Sequence, residues 1–167
     1  YLCVGIKLDM VHCAISDNKA GLSGGGLFIK EIQNVTFRQL LMITNNARLQ
    51  GGALYFQNII WIKIFGCFIT DNSAENGGGI SGVSIHDILI SKSNISANIG
   101  SRQGGGVILL KFNKLVSVHS CYSKNIAKSS GGALSLDQFS SVKNYQCYFQ
   151  QNLNGAINAH CGRTMLS

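Results

Sequence analysis

Apolar and polar residues alternate in short bursts along this chain, and the bursts come back at a fixed distance. An apolar-x-x-Asn motif occurs six times, at Ile15–Asn18, Met42–Asn45, Ile69–Asn72, Ile95–Asn98, Tyr122–Asn125 and Phe149–Asn152. Each is followed by a glycine-rich motif ending on an aliphatic residue: Leu27, Leu54, Ile80, Val107, Leu134 and Ile157. The intervals between these aliphatics are 27, 26, 27, 27 and 23 residues. A period of this size is the signature of a solenoid.

Within one repeat the alternation predicts three short strands. The template is Cys13-Ala14-Ile15, then Leu27-Phe28-Ile29 after the glycines, then Val35-Thr36-Phe37. The predicted inward columns are Leu27/Leu54/Ile80/Val107/Leu134/Ile157, Ile29/Phe56/Gly82/Leu109/Leu136/Ala159 and Val35/Ile62/Ile88/Leu115/Val142. A further column runs Phe37/Ile64/Ile90 and is expected to slip by one residue, to Val118 and Tyr145. Length variation falls between each Asn and the next glycines, so that segment reads as the turn.

These features predict an all-β right-handed parallel β-helix, about six rungs of ~27 residues with three short strands each. A left-handed helix of hexapeptides would need rungs of only about 18 residues. A leucine-rich horseshoe would need an LxxLxL line, which the sequence lacks. Stacked at the strand spacing, six rungs make a rod of roughly 25–30 Å.

The composition is that of a folded chain: 46% hydrophobic, 13% charged, 20 glycines and no proline in 167 residues. The repeat runs from end to end, so residues 1–167 read as one domain. The chain does not begin with Met and carries no signal-peptide pattern, which reads as a segment of a longer repeat protein or a fibre subunit. Ile59-Ile60-Trp61-Ile62 is far too short to span a bilayer, so no direct membrane insertion of this segment is expected. The net charge is +7, but the fourteen Lys and Arg residues are scattered without a run of three. A nucleic-acid partner is therefore not expected.

The recurring polar residues read as scaffold. Asn18, Asn45, Asn72, Asn98, Asn125 and Asn152 would stack as an amide ladder. The glycines would allow positive φ and close approach between turns. A phosphate-binding loop would need a following helix, and β-like residues follow instead. Cys13, Cys67 and Cys147 share a column, with Cys121 one position off it. Free buried thiols are the expectation, with a Cys121–Cys147 bridge or a bridge to a neighbour as the alternative.

Three groups of surface residues are candidates for function. Asn34-Val35-Thr36 and Asn94-Ile95-Ser96 are acceptor sequons, with Asn34 expected in an exposed turn. Arg48, Arg102 and Lys128 fall near one line along the turn, broken by Glu75, and could face a polyanion. Asp17 and Asp71 share a column about 10 Å apart, the loose edge of an inverting carboxylate pair. Both belong to the repeat's own turn. The four histidines read as falling in different registers, none sharing a column with an acid. No catalytic, cofactor or metal residues are expected.

Phe149-Gln150-Gln151-Asn152, Gly51-Gly52-Ala53-Leu54 and Gly131-Gly132-Ala133-Leu134 match the paired FxxN and GGA(I/L/V) motifs literally. The chain thereby resembles the repeats of the chlamydial polymorphic outer membrane proteins, on a right-handed β-helix of pectin-lyase-like kind. The resemblance implies an extracellular or cell-surface segment with an adhesive or structural role. Its partners would be itself or neighbouring repeats, by end-to-end stacking into filaments, and glycans. A carbohydrate-binding or polysaccharide-cleaving β-helix and an intracellular β-helix scaffold are the alternatives.

Overall fold

The computed structural model describes residues 6–161. Among them every regular element is a strand and all pairing is parallel, so the chain is a β-solenoid of about six turns. The expected fold is thus found. No helix among the described residues is long and apolar enough to cross a membrane.

Three sheets run along the rod. The long sheet contains the strands Lys7–Val11, Leu27–Lys30, Asn34–Arg38, Leu54–Phe65, Ile80–Ser91, Val107–Val118, Leu134–Tyr145 and Ile157–His160. The second sheet stacks Ala14–Ser16, Leu41–Ile43, Phe68–Thr70, Asn94–Ser96, Cys121–Ser123 and Tyr148–Gln150. The third stacks Lys19–Ala20, Asn46–Ala47, Ser73–Asn76, Ile99–Gln103 and Ile126–Ala127.

This corrects the expected strand layout. The two strands predicted after the glycines belong to one sheet, fused into 12-residue strands from the third rung onward. The segment predicted as a turn carries the third sheet instead. Small residues make that pairing possible: Ala20 stacks on Ala47, and Ala74 on Gly100 and then Ala127. The length variation is absorbed there by a local register shift between Ala74 and Asn76.

Each rung closes by four single-residue bends in left-handed backbone. Three of the corners accept side chains: His12 to Gln146, Asp17 to Gln151, and the mid-strand bend of the long sheet at Glu31, Asn58, Ser84, Lys111 and Gln138. The fourth corner is glycine in five rungs, as at Gly51 (φ +64°), and Asn154 in the last. A Cβ there would lie 2.1 Å from the Leu54 carbonyl oxygen. On the adjacent Gly52 it would lie 2.1 Å from the Gly78 oxygen of the next rung. At Gly51 and Gly52 the backbone approaches too closely for a side chain.

The core consists of the stacked inward columns, and the first three expected columns hold residue for residue. Interior members such as Leu54, Ile62, Val107 and Leu115 are fully buried. Each such side chain contributes roughly 1.5–3 kcal/mol by burial. The expected slip in the fourth column does not occur. Ile90 is followed in register by Ser117 and Asn144, while Val118 and Tyr145 face outward on the Phe65 column. Ser117 replaces an aliphatic residue because of its neighbour. In the second sheet Tyr122 follows Ile95, stacks on Phe149 (4.9 Å between rings), and turns its hydroxyl onto Ser117.

Candidate functional site

The asparagine ladder is continuous over all six copies. The backbone N–H and the Nδ2 of each Asn both donate to Oδ1 of the Asn one rung later. From Asn72 to Asn98 these distances are 3.0 and 3.0 Å. The same pair of bonds links Asn18 to Asn45, Asn45 to Asn72, Asn98 to Asn125 and Asn125 to Asn152. The second Nδ2 hydrogen reaches back to the preceding rung, as from Asn72 to the Met42 oxygen at 3.0 Å. Asn45, Asn72, Asn98 and Asn125 are fully buried. Each interior amide thus has two donors and two acceptor directions filled, and none reaches a ligand.

A second polar ladder runs beside it. Cys13, Leu40, Cys67, Ser93, Ser120 and Cys147 occupy successive rungs, each immediately before a strand of the second sheet. Ser93 Oγ accepts the Cys67 N–H at 3.1 Å, and Ser120 Oγ accepts the Ser93 N–H at 3.3 Å. Hydroxyl and thiol alike donate to the carbonyl two residues earlier, at 2.9 Å for Ser93 and 3.5 Å for Cys67. Cysteine here acts as a larger serine. The described cysteines, Cys13, Cys67, Cys121, Cys147 and Cys161, are free thiols, so the Cys121–Cys147 bridge is absent. Burial pushes the Cys67 thiol up, with backbone hydrogen bonds opposing.

The turn line is broken. Arg48 and Lys128 each follow the small residue of their third-sheet strand, three rungs apart. Arg102 sits beyond the inserted residue and lies 3.7 Å from Glu75. Arg48, Glu75 and Ser101 share a shallow depression of about 340 Å³. Arg102 lines a cleft of about 200 Å³ on the other side, with Gln50, Asn76 and Gln103.

Both sequon asparagines begin strands and are half-buried. Asn34 is therefore not in a turn. The bend comes three residues earlier, at Glu31, and Asn34 already pairs in register with Trp61. Asn94 lies between Phe68 and Cys121, its Oδ1 buried and unpartnered.

Asp17 accepts a hydrogen bond from Thr44 Oγ1 one rung on, and Asp71 accepts one from Thr70 Oγ1 at 2.9 Å. The histidine reading needs correction. His12 and His119 occupy the same corner column, each bonded to the glutamine one rung on, Gln39 and Gln146. His86 Nδ1 lies 3.0 Å from Asp87, and His160 is the register partner of Asp137. Among the described residues no group of three or more His, Cys, Asp or Glu side chains could hold a metal.

One arrangement escaped sequence reasoning. The second arm of the long sheet carries one basic residue on its outer surface in each rung: Lys7, Arg38, Lys63, Lys92, Lys114 and Lys143. Lys92 stands at the corner just past Ser91. The six zigzag across neighbouring columns, so no fixed interval marks them in the sequence. Among the described residues none of them is in an ion pair; the pairs that form are Lys30–Glu31, His86–Asp87 and Arg102–Glu75.

No protein-family model matches this chain, and neither a curated protein nor a solved structure matches it.

Proposed function

We propose that this chain is a structural and adhesive segment of an extracellular or cell-surface β-helix, lengthened by stacking rung on rung. The observation that supports this reading is the sense of the asparagine ladder. From Asn18 to Asn125 each N–H and one Nδ2 hydrogen point to the following rung. Among the described residues Asn18 Oδ1 accepts nothing, and the Asn152 N–H and one Nδ2 hydrogen donate to nothing. The last described rung also leaves Tyr145, Leu153 and Ile157 about half exposed. A rung set on either edge would continue the ladder and cover these side chains, whether it came from the same parent chain or from a second copy. The resemblance to polymorphic outer membrane protein repeats points the same way. Sedimentation velocity across a concentration series, with negative-stain microscopy, tests it. Filaments or large assemblies are expected; a monodisperse monomer at all concentrations overturns the stacking reading.

An intracellular scaffold is the second reading, favoured by the thiols that stand in for serines. Thiol titration of the native source protein under denaturing, non-reducing conditions separates the two. Six free thiols favour the intracellular reading, and intermolecular disulfides favour the extracellular one.

A further inference from the structure

The basic residues on the outer arm of the long sheet do not stand alone. Apolar side chains alternate with them along the same surface. Trp61 and Phe65 flank Lys63 in the third rung, and Leu89 precedes Lys92 in the fourth. Val116 and Val118 follow Lys114, and Tyr145 follows Lys143. Ile60 and Trp61 stand out side by side next to the bend at Asn58, 51% and 43% exposed. The Lys63 and Lys92 ammonium groups lie 6.0 and 5.6 Å from the Phe65 ring centre. The two acids on this surface are Asp9 and Asp87, and Asp87 is already held by His86 and by Asn113 Nδ2 at 3.1 Å.

We propose that this face rests on an anionic lipid surface, with the lysines at the headgroups and Ile60 and Trp61 as the apolar anchor. The charge is complementary: one unpaired cation per rung, with rungs about 4.8 Å apart. Clustered Lys and Arg are drawn to acidic headgroups, and long basic side chains extend to the headgroup level while their stems cover apolar surface. Tryptophan and tyrosine concentrate at the same depth. A duplex nucleic acid presents one charge per about 1.7 Å of axis, far denser than this stripe. A polysaccharide would use the aromatic rings but leave Ile60 in water. The rungs stack in register along this arm, so both sets of side chains form straight rows that a planar surface meets at once.

The chain has a single tryptophan, so the anchor reports on itself. Vesicles of phosphatidylcholine with about 30% phosphatidylserine are compared with pure phosphatidylcholine by co-sedimentation and by Trp61 emission. Binding to the anionic vesicles with a blue shift is expected, weakening steeply with salt. The variant K63Q/K114Q/K143Q should bind at least about tenfold more weakly. The variant K19Q/K124Q/K128Q, which removes the same charge from other faces, should bind as the parent does. Circular dichroism checks that each variant is folded. Equal loss in both variants reduces the effect to net charge and overturns the proposal. So does binding without a blue shift, or binding abolished by a sulfated oligosaccharide while the emission stays unchanged, which would assign the face to a polysaccharide. No binding to the anionic vesicles also overturns it.

Discussion

Ser117 Oγ lies 2.8 Å from the hydroxyl of Tyr122, five residues later, with both side chains fully buried. The pair puts two polar groups into the buried interior, in register with Ile90 and Ile95 of the preceding rung, and each satisfies the other. Ser117→Ala should therefore cost about 1–3 kcal/mol, because it strands the phenol. Adding Tyr122→Phe should recover much of that loss. Chemical denaturation of the single and double variants measures the coupling.

The same burial sets an alkaline limit. Desolvation holds the Tyr122 phenol above its ordinary value of 10.0, with Ser117 opposing. A group raised on folding contributes its stability below the unfolded value and loses it above. Stability should thus fall above pH 10.0, where the unfolded tyrosine ionises and the folded one does not. One such group contributes a slope of about 1.4 kcal/mol per pH unit. Tyr55 and Cys67 are raised by burial too. Tyr122→Phe should accordingly flatten the alkaline limb of a stability–pH profile by one proton's worth, without abolishing it.

Replacing a ladder asparagine should depend on its rung. Asn72→Leu leaves the Asn45 N–H and one Asn45 Nδ2 hydrogen without their partners in a dry interior, and takes a second donor from the Met42 carbonyl. A loss of at least about 3 kcal/mol is expected, at about 1–3 kcal/mol per stranded group with incomplete additivity. Asn18→Ala, at the exposed edge, should cost under ~1 kcal/mol. Equal losses at the two positions would mean that burial of the ladder does not matter.

The corners make opposite predictions for glycine. Ala97 holds left-handed backbone at φ 53°, so Ala97→Gly should relieve strain and raise stability by up to about 1 kcal/mol. Gly51→Ala meets the Leu54 oxygen and should destabilise strongly. Thermal unfolding of the two variants checks the signs.

What could be read from the residues follows from what each one is asked to do. The Asn and aliphatic columns recur at one interval because they stack on themselves, so their register was legible from Leu27 to Ile157. Ser117 was not. It answers to Tyr122 in another sheet, and a column-by-column reading sees only a missing aliphatic. The third sheet was hidden because two-residue strands such as Lys19–Ala20 have no room for alternation. The outer basic row was hidden by its drift between Lys7, Lys63 and Arg38 columns, which only the paired strands resolve.

The register itself has a kinetic consequence. Partners in the long sheet are 23 to 27 residues apart, as in Asp137 with His160 and Ile80 with Val107, and each strand meets only the rung before and the rung after. Coupling of this kind is that of a row of dominoes. A rung added or lost at an edge changes stability by one neighbour's share, whereas a weakened middle rung divides the row into two shorter ones. Amide exchange should therefore be slowest around Ile80–Val118 and quicken toward both edges, as the rod unzips from its ends.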